Sequence, residues 1–214
     1  MRALLVIVLL ASVALADDEA DCKKGNGGAC MTLAEAEKDA TKAYEYLQKA
    51  CAAKLMAGCT EQGQRLMDGS GVAKDEKAGF ALWEKACKKD DGRACNNLGT
   101  SWSDGNQGAK SVDHKKAKTL YDKACKLKNG FGCFNLGNVY RLGEGIKADP
   151  KKATSYFAKS CELDNAKGCT ELGIIYYEGK VLPKDQAKAL ELFEKSCKLG
   201  SDVGCKNHKL LTGG

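Results

Sequence analysis

GCFNLGNVYRLGEGIKADPKKATSYFAKSC, Gly132 to Cys161, carries the fold in thirty residues. Its second residue is a cysteine, Cys133, followed at the fourth position by Gly137, at the seventh by Tyr140 and at the tenth by Gly143. A glycine at that last place predicts a helix closed by a left-handed residue. Asp149 and Pro150 come next, an N-cap carboxylate and a proline whose missing N–H costs nothing at a first helical position. Small Ala153, aromatic Tyr156 and Phe157, and Cys161 then share one face of a second helix. The stretch is therefore read as helix A, a glycine-rich turn and helix B.

Working outward, the same grammar recurs. Twelve cysteines form six pairs, each with seven residues between its members: Cys22/Cys30, Cys51/Cys59, Cys87/Cys95, Cys125/Cys133, Cys161/Cys169 and Cys197/Cys205. First cysteines follow one another at 29, 36, 38, 36 and 36 residues, the period of a helical repeat array. Twelve residues before Cys51, Cys87, Cys125, Cys161 and Cys197 stand Asp39, Asp75, Asp113, Asp149 and Asp185. Four before them stand Leu47, Trp83, Tyr121, Phe157 and Phe193, and eight before them Ala43, Gly79, Ala117, Ala153 and Ala189. Gly63, Gly99, Gly137 and Gly173 recur inside helix A, where glycine costs up to about 1 kcal/mol of helix propensity. Their recurrence predicts a neighbouring helix too close for a Cβ.

An even cysteine count at fixed local spacing reads as a disulfide framework, Cys22–Cys30, Cys51–Cys59, Cys87–Cys95, Cys125–Cys133, Cys161–Cys169 and Cys197–Cys205. Each bond ties the end of one helix B to the start of the next helix A, closing a loop whose entropy is worth about 2.5 kcal/mol. Metal-ligand pairs are spaced more tightly, and no Cys-x-x-Cys redox pair exists, so neither a metal nor a cofactor is expected. The fold class expected is all-α, a solenoid of about five helix-turn-helix units with one local disulfide per junction.

The first residues read as a secretory signal peptide over 1–16: Arg2, the apolar run Ala3 to Leu10, then Ala14-Leu15-Ala16 before acidic Asp17-Asp18-Glu19. The expectation is a periplasmic or secreted protein with no membrane span in the mature chain. The units expected are a shortened cap over 17–51, repeats over 52–87, 88–125 (with a two-residue insertion), 126–161 and 162–197, and a terminal partial helix over 198–214. The net charge is +6, with lysines spread through every repeat rather than striped, which argues against nucleic acid as a partner.

The segment just quoted and its neighbour GCTELGIIYYEGKVLPKDQAKALELFEKSC, Gly168 to Cys197, resemble Sel1-like repeats. With paired cysteines behind a signal sequence, the chain is similar to the Helicobacter cysteine-rich protein family from about Asp21 onward. The resemblance implies an αα-superhelix with helices A lining the concave side. It also implies a weak penicillin-binding protein or slow β-lactamase, or a secreted factor recognised by host cells. A second resemblance is to a mitochondrial cytochrome oxidase assembly factor with similar Cys-paired repeats, but the N-terminus lacks an Arg-rich presequence.

The residues themselves show no catalyst. Ser-x-x-Lys is absent; Ser103-Asp104-Gly105-Asn106 reads as a helix end. His114 and His208, the two histidines, lie far apart, with His114 expected in solvent. Ser160 and Ser196 hold a place that is Ala50, Ala86 and Ala124 elsewhere, so smallness explains them. Binding residues are sought instead among positions that vary between repeats. Asn96, Asn97, Asn135, Asn138 and Arg141 form an amide-rich, positive candidate patch on helices A. Asparagine is a poor helix former, so several on one face want a reason. Their amides can pair with an extended backbone and the arginine can clamp a carboxylate, which suits a protein or peptide ligand, a cell-wall peptide or a β-lactam.

Overall fold

The computed structural model describes residues 17–106, 108–109 and 111–213, and these hold helices and turns with no strand among them. Residues 1–16, where the signal peptide is expected, lie outside the described residues. After a helical segment at 17–23 come α1 (Gly27–Ala36), α2 (Ala40–Ala52), α3 (Met56–Asp68), α4 (Glu76–Lys88), α5 (Gly92–Asp104), α6 (His114–Lys126), α7 (Gly130–Leu142), α8 (Pro150–Glu162), α9 (Ala166–Glu178), α10 (Gln186–Lys198) and α11 (Asp202–Thr212). The odd-numbered helices are the A type and the even-numbered ones the B type. The described residues fall into two compact units, 17–91 with 108–109, and 92–106 with 111–213. In the second unit the A helices α5, α7, α9 and α11 touch one another in succession as well as their B neighbours.

Each B helix starts where the spacing predicts. Asp39, Asp75, Asp113, Asp149 and Asp185 are its N-caps, their carboxylates accepting from backbone N–H groups two or three residues on. The aspartate also fixes the turn before it. Asp75 N–H donates to Leu66 O at 2.9 Å, Asp113 to Trp102 O at 2.7 Å, Asp149 to Tyr140 O at 2.7 Å and Asp185 to Tyr176 O at 3.0 Å. One residue thus closes helix A and opens helix B. The A helices α3, α7 and α9 end on Gly69, Gly143 and Gly179 in the left-handed region.

Three lysines complete this joint. Lys116, Lys152 and Lys188 each pair with the cap carboxylate, at 3.5, 3.4 and 3.7 Å. Their Nζ atoms lie over the rings of Trp102, Tyr140 and Tyr176 at 4.0, 5.4 and 5.3 Å, favourable positions against the negative ring face. The backbone bonds to the caps hold the carboxyls of Asp113 and Asp149 below their ordinary pKa, with the adjacent lysines helping.

Packing between A and B rests on the mid-helix glycines. A Cβ on Gly63 would meet Trp83 at 2.8 Å, and one on Gly99, Gly137 or Gly173 would meet Tyr121, Phe157 or Phe193 at 2.6, 2.6 and 2.7 Å. Trp83, 1% exposed, adds a bond from its indole N–H to Thr60 O at 3.0 Å.

Cysteines join consecutive units as expected. Cys22–Cys30, Cys51–Cys59, Cys125–Cys133, Cys161–Cys169 and Cys197–Cys205 are bonded, with Cα atoms 4.4–4.7 Å apart. Cys87 and Cys95, the remaining two, are likewise bonded, and none of the described cysteines is free. Such bonds belong to an oxidising environment outside the cytoplasm. No helix of the described residues is long and apolar enough to cross a membrane.

Each disulfide loop turns at one left-handed residue three positions past the first cysteine: Gly25, Lys54, Asp90, Lys128, Asp164 and Gly200.

Candidate functional site

Four of the five candidate binding residues lie on two neighbouring A helices and are bonded in pairs. On α7, Asn135, Asn138 and Arg141 follow at i, i+3 and i+6, which brings them along one side of the helix. On α5, Asn96 faces that row, and the Asn135 side-chain N–H donates to Asn96 Oδ1 at 2.9 Å. Arg141, exposed, folds back along its own helix and donates to Asn138 Oδ1 from Nε at 3.3 Å and Nη2 at 2.9 Å. Asn97 is next to Asn96 in sequence, hence turned about 100° around the helix from it; like Asn96, Asn135 and Asn138 it is half-buried.

This arrangement does two things. The Asn96–Asn135 bond links A helices of consecutive repeats by a polar contact, giving these poor helix formers a structural reason to be there. It also leaves a donor-rich surface, because a guanidinium has five N–H groups and Asn138 takes two. Beside it, Thr100 accepts from the Tyr121 hydroxyl at 3.3 Å. Burial raises the pKa of that phenol, so it stays a neutral donor.

The serines before the cysteines are structural. Ser160 and Ser196 are 0% exposed, and their hydroxyls donate to Gly130 O and Ala166 O, both at 2.8 Å. Smallness is confirmed as well, since a Cβ on Gly168 would strike Ser160 at 2.5 Å. Neither hydroxyl is placed to attack a substrate. Ser103 and Asp104 form the last turn of α5, with Gly105 left-handed after it, as expected of a helix end. His114 departs from expectation. It is half-buried, its Nδ1 is buried without a hydrogen bond 4.0 Å from Glu144, and its Cβ packs where Gly145 has no side chain. The cause is the turn after α7, which folds Glu144 and Gly145 onto the start of α6. Among the described residues no group of three or more His, Cys, Asp or Glu side chains is placed to hold a metal.

A concavity lies off this face, at the turns entering α7, α9 and α11. Its residues were not singled out by the sequence reading. The signal available was the asparagine or serine four residues before Cys133, Cys169 and Cys205, a place that is Leu55 in an earlier unit.

Comparison with known proteins agrees with the repeat structure. The Sel1 repeat model matches residues 31–55, 58–91, 92–129, 130–165 and 166–201. Among solved structures, a Sel1 repeat protein from Oxalobacter formigenes is similar with a TM-score of 0.78 and 24% identity, over 85% of this chain and 76% of that one. Helicobacter pylori cysteine-rich protein B is 34% identical over 62% of this chain and 94% of its own, with a TM-score of 0.50. The immunity protein Pa5087 from Pseudomonas aeruginosa shares the fold at a TM-score of 0.62 and 17% identity, over 87% of this chain and 80% of that one. No curated protein sequence matches the chain.

Proposed function

The chain belongs to the Sel1 repeat family, a class of scaffold suited to protein–protein interaction, and from that premise we propose that it is an exported scaffold binding a protein or peptide through its helix-A face. The observation that carries this is the bonded row of Asn96, Asn135, Asn138 and Arg141 on α5 and α7. An extended peptide needs alternating donors and acceptors, which carboxamides supply, and a fixed cation for a carboxylate, which Arg141 supplies. Asn97 extends the surface along α5. Export is supported by the disulfides, which an oxidising periplasm or extracellular space maintains, together with the signal-like residues 1–16.

The test starts from a phage-displayed peptide library panned on the oxidised protein. Affinities of enriched peptides are then compared between wild type and Asn135→Ala/Arg141→Ala. The double variant is expected to bind at least tenfold more weakly, with an unchanged melting temperature. Equal affinity, or no enrichment, contradicts the reading. A chromogenic β-lactam incubated with the same protein tests the hydrolase alternative: the scaffold reading expects no turnover above background, and turnover lost in the double variant would replace it.

A further inference from the structure

We infer that the turns entering α7, α9 and α11 form a second, separate binding groove, one that takes an acidic segment of a partner polypeptide. The groove holds about 520 Å³, room for a few residues. Three features determine its chemistry.

The first is charge. Arg93, Lys128 and Lys167 line it, all exposed. Among the described residues Lys128 and Lys167 pair with no carboxylate; Lys167 instead lies over the Phe134 ring at 5.8 Å. The acid of the lining, Asp164, is matched by Lys195 at 2.9 Å from outside the groove. Three helix starts add to this, for Asn129, Asn165 and Ser201 are the N-caps of α7, α9 and α11, and helix N-termini carry partial positive charge.

The second is an unmet donor. Asn165 is 6% exposed. Its Oδ1 is committed to the cap, accepting from Lys167 N–H at 3.0 Å and Gly168 N–H at 3.4 Å. Its Nδ2 is buried with no acceptor. Buried amide groups are ordinarily paired, and one left open among lysines is served by an arriving carboxylate or carbonyl oxygen. The third is apolar surface between the charges. Phe131 is 55% exposed and Leu199 37%. A ligand alternating acidic and apolar side chains fits both; an inorganic anion uses only one.

This groove lies at the ends of the A helices, so it does not depend on the asparagine row. The probe is a fluorescein-labelled Glu-Leu-Glu-Leu-Glu peptide followed by anisotropy at low salt, with Lys-Leu-Lys-Leu-Lys and Gln-Leu-Gln-Leu-Gln as controls. Saturable binding of the acidic peptide alone is expected. Lys128→Glu/Lys167→Glu should weaken it at least tenfold, and Asn165→Ser about fivefold. Serine already caps the equivalent helix as Ser201, so that variant keeps its fold. Lys115→Glu/Lys209→Glu, an equal charge change on exposed lysines elsewhere, and Asn135→Ala/Arg141→Ala should both stay within twofold. The inference is overturned by absent saturation below millimolar peptide, by full affinity in Asn165→Ser, or by an equal loss in the Lys115/Lys209 variant.

Discussion

Gly137 of α7 lies against the ring of Phe157 of α8, so close that a Cβ at 137 would stand 2.6 Å from the Cε1 of that ring. Phe157 is 0% exposed and its ring also meets Phe134, so it has nowhere to retreat. In an ordinary helix, Gly→Ala gains about 1 kcal/mol. Here overpacking, costing about 1–3 kcal/mol, outweighs that gain. Gly137→Ala is expected to lower stability by about 1 kcal/mol in urea denaturation, and adding Phe157→Leu should recover part of the loss. A stabilised Gly137→Ala would mean the A–B contact is looser than described.

The disulfides act locally. Removing Cys161–Cys169 by double alanine substitution should cost about 2.5 kcal/mol from the nine-residue loop it closes. Because repeats touch mainly their neighbours, the loss of amide protection should concentrate in α8 and α9. Hydrogen exchange reads this directly; a uniform loss across the chain would contradict it.

One strained position in those loops can be relieved. Lys54 sits at φ 64° in the left-handed region, where Gly25 and Gly200 stand in the equivalent loops. An L-residue other than glycine pays about 1–2 kcal/mol there, offset in part by glycine's greater freedom when unfolded. Lys54→Gly should therefore raise the denaturation midpoint, by about 0.5–1 kcal/mol in stability.

Acid should loosen the A–B joints. The carboxyls of Asp113 and Asp149 have their pKa lowered in the folded state, first by the backbone N–H bonds of Lys116 and Lys152. A lowered folded pKa favours the ionised, folded form. Its contribution is complete above the unfolded carboxyl pKa of about 3.9 and is lost as pH falls through the folded value. Melting temperature should thus fall below about pH 4. Asp113→Asn/Asp149→Asn, which keeps the cap acceptors, should start lower at neutral pH and show a shallower acid decline.

Much of this was legible in the sequence, for a physical reason. Asp149, Gly137 and Phe157 act within one repeat and each cysteine pair spans only nine residues across a junction, so their contacts recur as fixed offsets that a single chain displays several times. What escaped reading depends on contacts that most repeats lack, that reach into another repeat, or that form only when helix B folds against helix A. The Ser160 hydroxyl reaches Gly130 O thirty residues away, and His114 is confined by Glu144 and Gly145 of a later turn. The Asn96–Asn135 bond joins positions one and two past their respective cysteines, so no repeat alignment pairs them. The ring contacts of Lys116, Lys152 and Lys188 lie within one repeat, but each ring stands on the preceding helix, so the contact shows only once helix B is folded against helix A.

The helix-A face is the central functional claim. It is tested most directly by ¹H–¹⁵N spectra of the oxidised protein titrated with a library-enriched peptide. The side-chain amides of Asn96, Asn135 and Asn138 and the Arg141 Nε–H are expected to shift and saturate together, with backbone changes confined to the A helices. Shifts confined to the B helices, with those four side chains unmoved, would contradict it.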